Sequence, residues 1–150
     1  MAGTLELRTQ KHFERLKQLE SLGIKVPKTY GVSGATIYQE FIVNDKSQEV
    51  IKGLRQTKTL SEKDKQLLDQ LIKMAAILDH EGYRTLDFLG DVIFDADREV
   101  FLYIDFGFDL GDKGEKASTS ALENLIREFR NHKEYIGQRY LEKIESFSRQ

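Results

Sequence analysis

The sequence of 150 residues contains no cysteine, no tryptophan and a single proline, Pro27. Without cysteine the chain cannot form disulfides or cysteine-ligated metal sites, so a reducing compartment is permitted. No apolar run approaches the ~18 residues that a membrane-spanning helix needs, and the N-terminus MAGTLELRTQ lacks the apolar region of a signal peptide. We therefore expect a cytoplasmic protein with no membrane association, although a protein exported without a cleaved signal would have the same features.

An excess of charge of one sign is also absent. The 23 basic and 25 acidic side chains give a net charge of −2, so no strong field for nucleic acid is indicated. Hydrophobic residues make up 39% of the chain and charged residues 32%, which is typical of globular proteins. The length suits one domain, and we expect residues 1–150 to form it.

Apolar residues at helical spacing predict three main helices. The first spans residues 5–22 and ends at Gly23, a residue suited to helix termination. The second follows the N-cap Ser61 and ends at Gly82, with one apolar face between them. A long third helix opens at Ser120 with a capping box, and the polar residues 132–134 indicate a break in it. A shorter helix is expected over residues 48–54.

Two segments rich in β-branched and aromatic residues predict β-hairpins. The first has strands near 28–32 and 36–42, separated by a glycine-containing turn. The second covers residues 91–105, where VIF and VFLYI flank the polar turn 95–98. The second strand of this hairpin is apolar throughout, so we expect it to be buried on both faces. Residues 109–116 are expected to form a loop.

Three carboxylates accompany the second hairpin. Asp91 precedes its first strand and Asp105 ends its second strand, so an antiparallel pairing would make the two residues neighbours. Two adjacent carboxylates repel each other unless a cation lies between them. Mg²⁺ prefers such oxygen ligands and often takes only one or two carboxylates together with substrate phosphates. Asp87, four residues before Asp91, could then orient or deprotonate a nucleophile.

Residues 72–107 resemble the catalytic core of the protein-kinase-like fold. In that family a helix that ends at a glycine is followed by a catalytic Asp, a metal-binding Asn, a hairpin and an Asp-Phe-Gly motif. Here Asp87 stands for the catalytic Asp, Asp91 for the Asn, and residues 105–107 are Asp-Phe-Gly. The chain is most similar to the RIO-type, lipopolysaccharide-kinase-type and aminoglycoside-phosphotransferase-type branches.

The resemblance implies an α+β, kinase-like fold with a truncated N-lobe and a mostly helical body that carries two hairpins. Residues 1–43 would be the residual N-lobe, and residues 44–150 the part similar to the C-lobe. It also implies a phosphotransferase that uses ATP and Mg²⁺, with Asp87 as the base. The other implied ligands are Asp91 and Asp105 for the metal, and Glu40, Phe41, Ile42 and Gly107 for the nucleotide.

Besides the phosphotransferase, two other interpretations remain open from the sequence. The 150 residues contain no glycine-rich phosphate loop and no Val-Ala-Ile-Lys strand, two parts that kinases use to bind phosphates. The chain could therefore be a catalytically inactive, pseudokinase-like module that binds a protein as an effector, an inhibitor or an antitoxin-like partner. The simplest alternative is a small α+β protein whose likeness to kinases is accidental.

Overall fold

The computed structural model describes residues 4–85, 87–104, 110–112 and 119–149. Within these ranges the protein is α+β, and each β-strand pairs antiparallel with one other strand. In chain order the elements are α1 (Thr4–Ser21), β1 (Thr29–Ser33), β2 (Thr36–Gln39), α2 (Ser47–Gln56), α3 (Glu62–His80), β3 (Tyr83–Thr85), β4 (Val92–Asp95), β5 (Val100–Tyr103), β6 (Leu110–Asp112), α4 (Ala121–Glu128) and α5 (Lys133–Ser148).

The predicted first and second helices are confirmed as α1 and α3. Gly23 and Gly82, which follow them, have φ angles of 101° and 85°, a region that glycine enters without steric cost. Ser61 caps α3: its side chain accepts a hydrogen bond from the backbone of Asp64, and the Asp64 carboxylate accepts one from the backbone of Ser61. This reciprocal pair satisfies two amides that the helix start leaves without partners.

Both predicted hairpins are present, as β1–β2 and β4–β5. The second strand of the first hairpin is shorter than expected, because β2 ends at Gln39 and residues 41–42 lie outside any strand. The second hairpin has the predicted register, with Val92 opposite Tyr103 and Asp95 opposite Val100. Its second strand is buried as expected, since the exposed fractions of residues 101–103 are between 0% and 3%.

Residues 110–112, which the sequence analysis assigned to a loop, instead form β6. They pair antiparallel with β3, with Tyr83 opposite Asp112 and Thr85 opposite Leu110. The sequence here alternates charge and glycine and has no apolar pattern. The strand is therefore defined by backbone pairing to a distant segment, and not by local propensity.

The C-terminal helix is divided in two. Ser120 caps α4 by accepting a hydrogen bond from the backbone of Glu123 at 3.2 Å. The helix then stops at Phe129, where φ is −122° and ψ is 57°, and a short 3₁₀ turn leads into α5. The break thus begins a few residues before the predicted position, and Phe129 itself is buried in the core.

One hydrophobic core joins most of these elements. The C-terminal part of α1, the α2 face, the α3 face, the β4–β5 hairpin and the start of α5 all contribute buried side chains. Among the helices that the structure describes, none is long and apolar enough to cross a membrane.

Asp79, near the end of α3, joins the three C-terminal helices. Its carboxylate accepts hydrogen bonds from the backbone amides of Ala121 at 3.0 Å and Leu122 at 3.3 Å, at the start of α4. It also accepts one from the Tyr140 hydroxyl on α5 at 2.9 Å. Burial nevertheless raises the pKa of Asp79 above its ordinary value, although these three hydrogen bonds oppose the rise.

The raised pKa predicts a pH dependence that Asp79→Asn removes. The folded state holds this proton more tightly than the unfolded state, so the group favours folding below its unfolded pKa of 3.8. That contribution is lost as pH rises through the raised folded pKa. In urea unfolding from pH ~3 to ~7, the stability of wild type minus that of Asp79→Asn should fall with increasing pH. Glu134→Gln, on the exposed surface of α5, serves as the control for loss of a carboxylate. A constant or increasing difference would contradict the assignment.

Candidate functional site

The β4–β5 hairpin is attached to the rest of the chain along both edges. On the β5 side, the Tyr103 backbone N–H donates to the Lys25 carbonyl at 2.8 Å. On the β4 side, the Lys46 N–H donates to the Phe94 carbonyl at 2.9 Å, and the Phe94 N–H donates to the Asp45 carboxylate at 3.1 Å. The hairpin therefore fixes the segment after β2 and the segment after α1 relative to each other.

The segment predicted to meet adenine begins at Glu40, directly after β2. The Glu40 carboxylate accepts a hydrogen bond from the Lys28 backbone at 2.8 Å and one from Arg98 at 3.1 Å. These contacts, the Lys28 amide first, lower the pKa of Glu40. Arg98 lies in the β4–β5 turn and also donates to Asp95 at 2.6 Å, so it links the turn to this segment.

Two backbone N–H groups of the same segment have no partner in the β1–β2 ladder. The Glu40 N–H donates to the Lys28 carbonyl at 2.8 Å, which extends the β1–β2 pairing by one residue. In the described part of the chain, the N–H groups of Phe41 and Ile42 make no backbone hydrogen bond. The Phe41 side chain is 84% exposed. Residues 41–42 thus offer backbone groups and apolar surface to a ligand.

Asp91 lies in a short 3₁₀ turn, Leu89–Asp91, immediately before β4. Its exposed fraction is 0%, so it is not the solvated acid that an open hairpin end suggests. Its Oδ2 atom accepts hydrogen bonds from the Thr85 hydroxyl at 3.2 Å and from the Tyr103 hydroxyl at 3.4 Å. A buried carboxylate needs such donors, because burial without them is costly.

The pairing predicted between Asp91 and Asp105 is only partly within the described residues. The Ile104 N–H donates to the Asp91 carbonyl at 2.6 Å, so the ladder continues past Tyr103 and residue 104 lies beside Asp91. Asp105 and Gly107 are outside the described residues, and their assignments stay predictions. Within the described ranges, no group of three potential ligand side chains is arranged to hold a metal.

Asp87 is exposed, and its position is coupled to Gly90. Its Oδ1 atom accepts a hydrogen bond at 3.1 Å from the backbone N–H of Gly90, three residues further along the chain, a local contact from side chain to backbone of the kind that Asp makes at turns. A Cβ atom added at Gly90 would lie 2.4 Å from Asp87 Oδ2. The close turn therefore requires a residue without a side chain at position 90, or a different orientation of the Asp87 carboxylate.

A cleft of about 530 Å³ opens beside Asp87. Its apolar lining includes Ile51, Leu89 and Val92, and α2 contributes polar and basic groups that include Lys52. Arg55 on α2 and Glu128 on α4 also line this cleft and form an ion pair. The cleft thus places polar, charged and apolar surface next to the predicted base. Asp87 and Asp91, four residues apart, differ sharply: Asp87 is exposed and lines the cleft, whereas Asp91 is buried.

Sequence reasoning did not identify the partners of the site residues. Thr85 and Tyr103 donate to Asp91, and Arg98 bridges Glu40 and Asp95. The register of the predicted hairpin could have identified Tyr103 as a neighbour of Asp91. Tyr103 lies two residues before Asp105, on the strand that passes Asp91. No local pattern marked Thr85 as a donor to Asp91.

A comparison with models of protein families matches residues 3–147 to the family described as the RIO domain. The match covers almost all of the chain. A search of curated proteins finds no match. The prediction that this α+β chain has a kinase-like fold similar to the RIO-type branch is confirmed.

The hydroxyl contacts predict how substitutions at Asp91 affect stability. Asp91→Ala leaves the buried hydroxyls of Thr85 and Tyr103 without this acceptor, at about 1–3 kcal/mol for each unsatisfied group. We expect a loss of about 3 kcal/mol in the free energy of unfolding for Asp91→Ala. Asp91→Asn keeps an acceptor oxygen and should lose less than about 1 kcal/mol. Urea unfolding measures both variants, and equal losses would show that the acceptor oxygen is unimportant.

Proposed function

Because this chain belongs to the RIO domain family of atypical kinase-like proteins, we propose that it binds Mg²⁺-ATP and transfers a phosphoryl group. The site would extend along the β4–β5 hairpin, from the segment 40–42 to the end where Asp91 lies. The four residues of β4 span about 13 Å at ~3.3 Å per residue. Such a separation allows the adenine ring to lie at one end and the phosphates at the other.

The observation that carries the proposal is the hydrogen bond from the Ile104 N–H to the Asp91 carbonyl at 2.6 Å. It continues the hairpin ladder to Ile104, which lies beside Asp91, and Asp105 is the next residue in the sequence. Aspartate carboxylates are the hard oxygen ligands that suit Mg²⁺. The donor set therefore fits the cation that the family resemblance implies.

We propose the following roles for the site residues. Asp91 and Asp105 would hold Mg²⁺, which when bound neutralises charge on the phosphates. The carbonyl of Glu40 and the N–H of Ile42 would hydrogen-bond the adenine edge, and Gly107 would lie close to the phosphates. Asp87 would orient an acceptor hydroxyl in the 530 Å³ cleft and accept its proton. The acceptor oxygen bonds to the γ-phosphorus as the bond to ADP breaks.

Mg²⁺-ATP should raise the melting temperature of the wild-type protein, because a ligand that binds only the folded state stabilises it by mass action. Asp105→Ala should abolish the rise, since it removes one of the two carboxylates that hold the cation. Differential scanning fluorimetry with millimolar Mg²⁺-ATP measures both results.

Glu134→Ala is the matched control for this experiment. Glu134 is an exposed carboxylate at the start of α5 and is not part of the hairpin. The control should keep the full rise. No rise for the wild type at millimolar Mg²⁺-ATP would reject the proposed nucleotide site.

Gly90→Ala should lower phosphoryl transfer while nucleotide binding is retained. The new methyl group displaces the exposed Asp87 carboxylate, which can move at little cost in stability, and so misplaces the proposed base. Release of phosphate from γ-labelled ATP, which is the transfer with water as the acceptor, should fall about a hundredfold or more, as for loss of general-base catalysis. Asp87→Asn should cause a similar fall.

Gly53→Ala is the matched control. A Cβ atom added at Gly53 has no atom within 4 Å, and Gly53 lies on the exposed face of α2. This variant should transfer phosphate at the wild-type rate. Unchanged transfer in Gly90→Ala and Asp87→Asn would show that Asp87 is not the base.

A catalytically inactive, protein-binding module is a second candidate, favoured by the exposed apolar surface near the proposed adenine segment. Phe41 is 84% exposed, Val43 83% and Tyr38 55%, and clustered apolar exposure is typical of protein contacts. Under this function, capture of a host protein would survive Asp87→Ala and Asp105→Ala but decrease in Phe41→Ser. Loss of capture in both well-folded Asp variants would count against it.

A further inference from the structure

A second cleft lies apart from the Asp87 cleft and shares none of its lining residues. It has a volume of about 340 Å³ and lies between the segment after α1, the α3 helix and the α5 helix. We call it the basic groove. Its cationic lining residues are Lys25, Lys73, Arg139 and Lys143.

The groove has more positive than negative charge. Asp69 is its one acidic lining residue, and this carboxylate is already occupied. Arg139 donates to Asp69 through Nε at 3.2 Å and Nη2 at 3.4 Å, and the Tyr135 hydroxyl donates to it at 2.8 Å. These bonds raise the pKa of Arg139 further above its ordinary value. The acid of the groove therefore compensates Arg139 and not the lysines.

The three lysines of the groove have no such compensation. Among the residues that the structure describes, Lys25, Lys73 and Lys143 form no ion pair. Three ammonium groups around one concave site repel one another, and the repulsion is relieved when an anion binds among them. The charge of the groove therefore selects a ligand with several negative charges.

The walls of the groove are fixed by hydrogen bonds. The Gln70 side chain on α3 accepts from the Phe101 backbone at 2.8 Å and donates to the Glu99 carbonyl at 3.2 Å. The Lys25 carbonyl accepts from the Tyr103 backbone at 2.8 Å. These three contacts attach the Lys25 segment and α3 to β5 and to the residue before it, and Lys143 lies on the regular helix α5, so the lysines extend from preordered backbone. Less ordering is then needed on binding.

From this charge and this frame we infer that the basic groove binds a small anion that carries at least two phosphate groups. Lysine is suited to phosphate as a mobile point charge with three donors. The volume admits a compact polyphosphate or a small bisphosphorylated metabolite rather than a folded partner. Because Lys25 precedes β1 while Lys73 and Lys143 lie on α3 and α5, the ligand joins three parts of the fold. It therefore stabilises their arrangement.

Inorganic tripolyphosphate is a direct probe of the groove. Isothermal titration calorimetry is performed in EDTA, so that no divalent cation supports binding at Asp91 and Asp105. We expect saturable binding at one site, together with a rise in melting temperature. The double variant Lys73→Gln/Lys143→Gln should weaken binding at least tenfold. Binding should also weaken as salt is raised, because the contacts are electrostatic.

Lys133→Gln is the matched control, since Lys133 is an exposed lysine of α5 that does not line the groove. It should bind tripolyphosphate as the wild type does, and so should Asp105→Ala. Absence of binding at millimolar tripolyphosphate would overturn the inference. The inference would also be overturned if Lys133→Gln weakened binding as much as a substitution of one groove lysine does. That result would indicate general electrostatic attraction to the surface. Duplex RNA and a phosphopeptide are tested as competitors. If either binds far more tightly than tripolyphosphate, the ligand of the groove is a macromolecule instead.

Discussion

The β4–β5 hairpin is the element on which the rest of the structure depends. It has only four residues in each strand, and an isolated hairpin of this size is marginally stable in water. Here it is held by backbone bonds to Lys25 on one edge and to Asn44 and Lys46 on the other, and by buried apolar side chains against α3. The same short element supplies the end at which Asp91 lies, so the site and the fold share one support.

A second joint, at Asp79, has a different physical character. It fixes the start of α4 through two backbone amides and α5 through Tyr140. Burial disfavours its charge while the hydrogen bonds favour it, and burial has the larger effect on its pKa. Because burial opposes the charge that the hydrogen bonds favour, the net contribution of this carboxylate to stability is smaller than its three bonds suggest, although its loss would leave their donors without this acceptor. The hairpin joint, made of backbone bonds and apolar contacts, has no such opposing cost.

The predictable parts of the fold were those whose signals are local. The α3 helix combines a capping box at Ser61 with a continuous apolar face, and the β4–β5 strands are apolar runs around a polar turn. In contrast, β6 has no apolar pattern, and only its pairing with β3 makes it a strand. The burial of Asp91 was equally inaccessible, because it depends on a hydroxyl from Thr85 and one from Tyr103.

The roles of the site residues stay predictions from the sequence, and the sequence did not predict the environments in which Asp87 and Asp91 lie. The family relationship followed from the order of Asp87, Asp91 and the Asp-Phe-Gly motif, and the match over residues 3–147 confirms it. The different burial of Asp87 and Asp91 depends on the turn at Gly90 and on tertiary packing. The division of the chain at residue 43 and the roles of Asp105 and Gly107 stay predictions.

The bond between Tyr103 and the Lys25 carbonyl has a consequence for synthesis of the chain. Leu16 and Leu19 on α1 are fully enclosed in the finished protein, yet the hairpin that fixes the following segment lies far downstream. At ~5–20 residues per second, ribosomes would take on the order of ten seconds to reach it. Throughout that interval Leu19 is without the part of its core cluster that the β4–β5 hairpin supplies, so the packing of α1 is completed only after the hairpin has been synthesised.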